Sequence, residues 1–327
     1  MKSPLVFIVI VSYNGKKHLE FCLPTLVAQD YDNFKIFIAD NNSTDGVEEW
    51  LKIKFPTVYC MRQKNNIGMG AMNEVLTWPN QNGIEENPKY IFVAGWDLKF
   101  EPRTITHSVK AMESNSNVGV LGYDVIGLFE WVEASELDKK VKEWTENMIW
   151  DVNWVPGACS FYRKELLDKI GFLDPVYFAY SEEDDIQYRI RKTGFRTVLI
   201  NTFCWQDAKV GVIPRERATY LHFRNKIRFH TKMKGFLWGM RIAISILNTA
   251  CSPFVNLDLS LRVNQRSRPY GFLKNLKIWS KAFYWNLKNL KATLKSGVEC
   301  REKIQKGKIY FNQLNPNRET NINNHDI

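Results

Sequence analysis

Two aspartates each follow a short apolar run, where a side chain is well placed to bind a ligand. Asp40 ends the run Phe34–Ala39 and precedes a polar turn, and Asp97 follows the run Tyr90–Ala94. Such β-branched and aromatic runs predict buried strands. Because ligands bind at the carboxyl ends of strands in an open α/β sheet, both carboxylates are expected at one edge of the same sheet.

Four consecutive acids, Glu182–Asp185, form the other strong chemical signal. They open a helix predicted from Ser181, and the helix dipole favours negative charge there, so capping is one interpretation. Four acids exceed what capping requires, and their repulsion would raise at least one pKa toward that of a useful general base. The preceding aromatic loop, Phe172–Tyr180, could exclude water. This arrangement suits the deprotonation of a hydroxyl group.

The elements that would position these acids follow a strand-helix-strand pattern. Two apolar runs, Leu5–Val11 and Phe34–Ala39, flank a segment of helical spacing, Lys16–Ala28. A unit of this length is a right-handed βαβ crossover, so the central sheet is predicted to be mostly parallel, with flanking helices. Further strands are predicted at Thr57–Arg62, Tyr90–Ala94 and Phe195–Ile200, and further helices at Val47–Ile53, Gly68–Trp78 and Lys164–Ile170.

The composition indicates a globular protein of the cytoplasm. The 327 residues are 45% hydrophobic and 13% aromatic, enough for a catalytic core with an appended region. The six cysteines form no CxxC pair and the five histidines are dispersed, which favours reduced thiols over a metal cluster. The N-terminal apolar run is too short for a signal peptide. The tryptophan-rich stretch Leu128–Trp154 is either a packed subdomain or a surface for sugar stacking.

Charge is unevenly distributed along the chain. Residues 1–207 hold 22 Lys and Arg against 29 Asp and Glu, whereas residues 208–327 hold 23 against 6. We therefore predict an α/β domain at 1–210, a mainly helical, basic region at 211–314 and a disordered tail at 315–327. The basic region implies an anionic partner, either a phospholipid surface or a nucleic acid.

Two apolar segments of the basic region could contact a membrane. Phe236–Val255 is nearly long enough to span one, but Arg241, Asn248 and Pro253 interrupt it, which favours a buried or interfacial helix. Phe272–Lys295 carries an aromatic and leucine stripe opposite six lysines without one acid, as in helices that lie on anionic membranes. The alternative is that the stripe packs on the protein. Peripheral membrane binding is the preferred interpretation, and no nucleic-acid partner is expected because no recognised binding module is present.

Several motifs, in order and spacing, resemble the inverting glycosyltransferases of family 2, which have the GT-A fold, and within them the rhamnosyltransferase-like branch. The resemblance covers roughly residues 5–230. Its motifs are VSYNG from Val11, DNNSTDG from Asp40, NNIG from Asn65 with Asn73, Asp97, Gly157-Ala158, the segment from Gly171 to Gly194, and Arg224-Asn225. The resemblance implies transfer of a sugar from a dTDP-, UDP- or GDP-linked donor to a glycan or lipid-linked glycan.

The resemblance also implies roles for individual residues. Asp97 would bind a divalent cation, Mn²⁺ or Mg²⁺, on the donor diphosphate, while Trp154 and Tyr180 would contact the acceptor. Gln206, Asp207 and Arg224 would support the diphosphate or the metal. The nucleotide sugar would be bound by Ser12, Tyr13, Asn14, Asp40, Asn42, Ser43, Asn66, Gly68, Asn73 and Gly157.

The register of the acidic run within the family pattern is fixed by Arg189, which lies four residues after Asp185. This places Glu183 at the position of the general base, where the family usually has aspartate, with Glu182 and Asp185 in support. Gly95 replaces the first acid of the family's DxD motif, and Gln206 stands where many members have a metal-binding histidine. Asp97 is then the single charged ligand.

Two other functions compete with transfer. The replacement of the first DxD acid by Gly95 and of the metal-binding histidine by Gln206 would also fit a degenerate GT-A protein that acts as a nucleotide- or glycan-binding scaffold. Against this, the acidic run is intact. A sugar nucleotidyltransferase is the other alternative, but VSYNG stands where that chemistry needs a glycine-rich, basic loop.

Overall fold

The computed structural model describes residues 3–126, 149–206, 213–251 and 270–316. They divide into two compact units: Met1–Val176, Ile186–Val210 and Ile304–Ile327 form the first, and Tyr177–Asp185 with Gly211–Lys303 forms the second. The second unit therefore includes the short segment Tyr177–Asp185, which precedes the basic region in sequence. From Ile304 the chain belongs to the first unit again. Most of the tryptophan-rich stretch, Asp207 and the tail after residue 316 lie outside the described residues.

The first unit is built on one mixed sheet, in the order β3-β2-β1-β4-β8-β6-β9-β5, with β7 also paired to β9. Strands β1 to β4 are parallel, as are β6 and β9, while β8, β5 and β7 run antiparallel to their neighbours. The described strands are β1 (Val6–Ser12), β2 (Phe34–Asp40), β3 (Val58–Arg62), β4 (Tyr90–Ala94), β5 (Leu98–Phe100), β6 (Val118–Ile126), β7 (Ile149–Asp151), β8 (Cys159–Arg163) and β9 (Arg196–Gln206).

Apolar side chains on both faces of the sheet explain its place between helices. In β1 the residues alternate between two clusters, with Ile8 and Ile10 in one and Phe7 and Val9 in the other, and all are buried. A strand buried on both faces needs continuous rather than alternating hydrophobicity, which the run VFIVI supplies. The helices described in the first unit are α1 (Lys16–Val27), α2 (Val47–Lys54), α3 (Trp78–Gln81), α4 (Thr104–Ser114), α5 (Lys164–Ile170) and part of α6 (Glu182–Lys192).

The predicted α/β sheet with flanking helices is confirmed, with one local difference. The segment Gly68–Leu76, predicted as part of one helix, is a 3-10 helix, and the short α3 follows it. Gly68 has a φ of 66°, which a glycine adopts without strain at the start of this element. The parallel register pairs Ser12 with Asp40, so the ends of β1 and β2 lie side by side.

The second unit is a bundle of helices around a small apolar core. Its helices are α7 (Arg215–Lys234), α8 (Phe236–Cys251), α9 (Phe272–Lys288) and α10 (Leu290–Leu314) up to Lys303. The core contains Phe223 and Ile227 of α7, Ile242 and Ile246 of α8, and Ile278 of α9. A mainly helical C-terminal region is thus confirmed.

The helix predicted over Phe272–Lys295 is interrupted, because α9 ends at Lys288 and α10 begins at Leu290. Part of the predicted apolar stripe, Trp279 and Phe283, packs against the core of the bundle rather than facing outward. Within the described parts of the chain, no helix combines the length and the apolar character that crossing a bilayer would require.

Candidate active site

The loops after β1 and β2 form one hydrogen-bonded group in the first unit. The Asn14 backbone N–H donates to Ser43 Oγ at 2.8 Å, and the Thr44 N–H donates to Asn14 Oδ1 at 2.8 Å. Asn14 and Asn42 have φ values of 51° and 64°, a left-handed conformation that asparagine tolerates better than most residues. Tyr13, Asn14 and Asn42 are exposed at this edge, as expected for residues that meet a ligand.

Asp40 lies beneath these loops and is completely buried. Its carboxylate accepts hydrogen bonds from the Ser43 hydroxyl, from the Ser43 N–H at 3.1 Å and from Arg62 Nη1 at 3.2 Å. Arg62 Nη2 also donates to Asn42 Oδ1 at 3.0 Å. The Asp40 carboxylate therefore fixes the shape of the loop after β2. It does so together with Arg62 at the end of β3, a residue that no sequence motif indicated.

The NNIG turn joins the same edge through Asn41. Asn41 Nδ2 donates to the Gly68 carbonyl at 3.1 Å, and its Oδ1 accepts from the Ile67 N–H at 2.9 Å. Asn73 makes different contacts, because its side-chain amide both donates to and accepts from the backbone of Leu173 at 3.0 Å. Its contacts secure the loop before the acidic run, and a role at the donor stays a prediction.

Asp97 follows β4 and is almost fully buried. Gln206 Nε2 at the end of β9 donates to Asp97 Oδ2 at 2.7 Å. A Cβ atom at Gly95 would lie 3.0 Å from Asp97 Oδ1 and 3.2 Å from the Ala158 side chain, so a second acid at this position would crowd both neighbours. Gly157 directly precedes Ala158 in the sequence, and its carbonyl accepts a hydrogen bond from Ser160 Oγ at 3.2 Å.

Asp97 and Gln206 could supply only some of the ligands that a divalent cation needs. Among the described residues, no group of three His, Cys, Asp or Glu side chains is placed to enclose a metal ion. Asp97 offers a carboxylate, and the Gln206 amide offers an oxygen if it turns over. Hard cations accept such oxygens and draw the remaining ligands from phosphate and water.

The acidic run lies in the second unit, at the start of α6. One carboxylate oxygen each of Glu182 and Glu183 is shielded from solvent and has no hydrogen-bond partner in the described structure. Burial raises the pKa of Glu182 to about 7, and burial together with the charges of Glu182 and Asp184 raises the pKa of Glu183 well above its usual range. These two glutamates therefore form an acid pair that can hold a proton near neutral pH.

Asp185 has a different environment from the two glutamates. It is fully buried and accepts hydrogen bonds from the Tyr177 hydroxyl at 3.0 Å and from Lys232 Nζ of α7 at 2.6 Å. This buried ion pair compensates its charge. Asp185 thus anchors the start of α6 to α7, and a catalytic role for it stays a prediction.

The loop before α6 has a strained backbone. Phe178, Tyr180 and Ser181 have φ values of 67°, 69° and 69°, which is unusual for three non-glycine residues so close together. Each such residue costs about 1–3 kcal/mol and persists only where surrounding contacts impose it. Strain of this kind is concentrated at functional sites.

Two residues of α7 impose this conformation. Asn225 Nδ2 donates to the carbonyls of Tyr177, Ala179 and Tyr180 at 3.0, 2.7 and 2.7 Å. Arg224 Nη2 donates to the Tyr177 carbonyl at 2.7 Å, and Arg224 Nε donates to Asn225 Oδ1 at 2.8 Å. The Arg224-Asn225 motif thus holds the loop, and support of a diphosphate by Arg224 stays a prediction.

The two residues expected to contact an acceptor are partly exposed. Trp154 is 39% exposed in the first unit, and Tyr180 is 37% exposed in the second, where its ring packs edge-on against His222 at 6.1 Å. Asp207 lies outside the described residues.

The mixed sheet with flanking helices, with polar loops at the carboxyl ends of β1 and β2 and an aspartate after β4, is that of the GT-A class. The glycosyl transferase family 2 model matches residues 7–171. The chain belongs to this family and is a glycosyltransferase, as the motifs indicated.

Known proteins similar to this chain agree with that class. It is 23% identical over 249 residues to N-acetylglucosaminyl-diphospho-decaprenol L-rhamnosyltransferase of Mycobacterium tuberculosis, covering 67% of this chain and 81% of that protein. In structure it is similar to a mannosyltransferase from Pyrobaculum calidifontis solved with GDP-Man and Mn²⁺, with a TM-score of 0.53, 14% identity and coverage of 94% and 88%. It is also similar to S. aureus TarS 1-349 in complex with UDP, with a TM-score of 0.51, 14% identity and coverage of 94% and 91%. The GT-A fold prediction is confirmed.

Proposed function

We propose that this protein transfers a sugar, with inversion, from a nucleoside-diphosphate sugar to a hydroxyl of a lipid-linked glycan, with Glu183 as the general base. The observation that carries the proposal is the Glu183 carboxylate, which has a shielded oxygen without a partner and a raised pKa. A carboxylate with a raised pKa is a stronger base than an ordinary glutamate, which suits it to accept the proton of a hydroxyl group.

The reaction is one in-line displacement. Glu183 removes the proton of the acceptor hydroxyl, the oxygen bonds to the anomeric carbon, and the bond from that carbon to the diphosphate oxygen breaks. The nucleoside diphosphate leaves with the bonding electrons. The Asp185–Lys232 ion pair fixes the first turn of α6, and Asn225 fixes the loop before it, so the base is held in place before substrate binds.

The donor is proposed to carry dTDP, UDP or GDP, and a divalent cation is proposed to assist its binding. Support comes from the proteins of similar fold that were solved with Mn²⁺ and GDP-Man or with UDP. Asp97 and the amide oxygen of Gln206 would hold the cation, which would neutralise charge on the diphosphate.

A thermal-shift screen with UDP, GDP and dTDP tests this donor site. One nucleotide should raise the melting temperature with Mn²⁺ or Mg²⁺, since a ligand that binds only the native state stabilises it. Asp97→Ala should remove most of that metal-dependent shift, whereas Asp151→Ala, a change to an exposed aspartate, should leave it intact. An equal shift for Asp97→Ala would contradict the role of Asp97, and no shift with any nucleotide would contradict the donor site.

The acceptor is proposed to be lipid-linked because the mycobacterial relative, by its name, acts on a diphospho-decaprenol acceptor. Such a substrate lies in a membrane, and the second unit has side chains suited to an anionic membrane surface. Leu237 of α8 is 80% exposed and Leu273 of α9 is 77% exposed. Neither α8 nor α9 contains an acid, and α9 presents exposed lysines such as Lys277 and Lys281. We propose peripheral binding through these two helices.

Binding to vesicles tests this surface. The protein should co-sediment with vesicles that contain phosphatidylglycerol and less with pure phosphatidylcholine, because lysines near an anionic surface each contribute about 1 kcal/mol. Leu237→Ser and Leu273→Ser together should reduce the bound fraction several-fold. Ile53→Ser, at an exposed apolar residue of the first unit, is the matched control. Equal binding by the double variant would contradict the assignment of this surface.

A further inference from the structure

One face of α7 carries four basic residues at successive helical turns. His222, Lys226, His230 and Lys234 are spaced four apart, so they lie in a row along the helix; we call them the basic row. With a rise of about 1.5 Å per residue, the row is about 18 Å long. No acid of α7 falls within it, since Glu216 lies before it and pairs with Lys274.

The basic row begins beside Tyr180 and Asp184 and ends beside the exposed part of α8. At its start, the His222 ring packs against Tyr180, and the Asp184 carboxylate interacts electrostatically with Lys226. At its end, Lys234 Nζ lies 4.7 Å from the centre of the Trp238 ring, next to the exposed Leu237. All of these residues belong to the second unit.

The middle of the basic row has polar groups that the protein leaves unmatched. In the described structure Lys226 makes no ion pair within 4.0 Å, although it is only partly exposed. His230 Nδ1 is shielded from solvent and has no hydrogen-bond partner among the described atoms. Burial lowers the pKa of Lys226, and burial together with the Lys226 charge lowers the pKa of His230 to about 4.

We propose that the basic row binds the diphosphate of the lipid-linked acceptor, with Lys226 and His230 as its central ligands. An ammonium group and a ring N–H are donors, and phosphate oxygens are the acceptors that both would satisfy. The row would bind such a ligand in one orientation. The sugar would point towards Tyr180 and the acidic run, and the prenyl chain towards Leu237 and Trp238. This inference rests on the proposed function and specifies how the acceptor is recognised.

The same chemistry could serve a second source, the diphosphate of the nucleotide donor. The two sources differ in a way that binding can separate, because the acceptor diphosphate is joined to a prenyl chain and the donor diphosphate to a nucleoside. Farnesyl diphosphate is a soluble probe for the first, and UDP, GDP or dTDP for the second.

Isothermal titration calorimetry on the full chain, in EDTA, tests the proposal without requiring turnover. Farnesyl diphosphate should bind, and farnesyl monophosphate should bind more weakly. Lys226→Gln and His230→Phe should each weaken binding of the diphosphate probe about 10-fold or more, since each removes a hydrogen bond to a charged group. Lys226→Arg should retain most of the affinity, and Lys303→Gln, at an exposed lysine of α10, should retain all of it.

The outcomes separate this proposal from the proposed function. Unchanged farnesyl diphosphate affinity in Lys226→Gln, with a normal melting temperature, would overturn the assignment. A loss of nucleotide binding alone would also overturn it, by assigning the row to the donor. If farnesyl diphosphate binds through the row while Glu183→Gln retains full activity, the anion site stands and the base assignment fails.

Discussion

Glu183→Gln should lower the turnover number by about 10²–10⁴-fold, the usual cost of removing a general base, while the dissociation constant of the donor stays within about twofold. Glutamine keeps the size of the side chain and loses only the ability to accept the proton. The expected split between turnover and binding follows from the shielded, unpartnered carboxylate oxygen of Glu183. Steady-state kinetics and calorimetry of nucleotide binding measure the two quantities.

Two further variants decide whether the effect belongs to Glu183. Glu49→Gln changes an exposed glutamate in α2 and should have no effect. Glu182→Gln should lower activity less, because its role is to set the pKa of its neighbour. More than about a tenth of the wild-type rate in Glu183→Gln would rule out its role as base.

The pH dependence of the same enzyme provides an independent check. The base must be deprotonated to act, and burial raises the pKa of Glu183 well above its usual range, so the acidic limb of the turnover profile should lie at a higher pH than for an ordinary glutamate. Glu182→Gln removes one of the charges that raises the pKa of Glu183, so the acidic limb should move to lower pH in this variant. An unmoved limb would show that the two carboxylates titrate separately.

Lys232→Ala should lower the free energy of unfolding of the second unit by about 3–5 kcal/mol, the usual cost of breaking a buried ion pair. The variant removes the ammonium group that pairs with the fully buried Asp185 carboxylate. Burial would then favour the protonated form, so Asp185 would either gain a proton or force the start of α6 to move. Urea denaturation followed by tryptophan fluorescence measures the loss.

A matched surface pair sets the scale for this prediction. Lys52 and Glu48 form an ion pair of 2.9 Å on α2 with the lysine side chain 69% exposed, and Lys52→Ala should cost no more than about 0.5 kcal/mol. Replacing both buried partners, as Asp185→Leu with Lys232→Met, should recover much of the loss because no uncompensated charge remains. A cost for Lys232→Ala as small as that of the surface variant would show that water reaches Asp185.

The sequence predicted the parallel strands β1 to β4 and the edge of the sheet well because those features are local, whereas it did not predict β5 to β8. β1, β2 and β4 are short, continuous apolar runs, and the polar residues that follow them mark the carboxyl edge. The 3-10 helix after Gly68 was less predictable, because helical spacing alone does not distinguish it from an α-helix.

The partners of the site residues could not be predicted, because they are distant in sequence. Lys232 lies 47 residues from Asp185, and Arg62 lies 22 residues from Asp40. A single lysine in a helix with many basic residues gives no local sign that its charge is buried. The strain at Phe178 and Tyr180 was equally hidden, since it depends on hydrogen bonds from Asn225.

The return of α10 to the first unit bears on how the chain is made. Tyr310 and Phe311 are buried in the core of that unit, where Phe311 packs against Phe195 and the Tyr310 hydroxyl donates to Glu165 at 3.0 Å. A ribosome synthesises residues 211–303 before it reaches these two aromatics. The first unit therefore cannot complete its core until the helices of the second unit have been synthesised and Tyr310 and Phe311 have followed them.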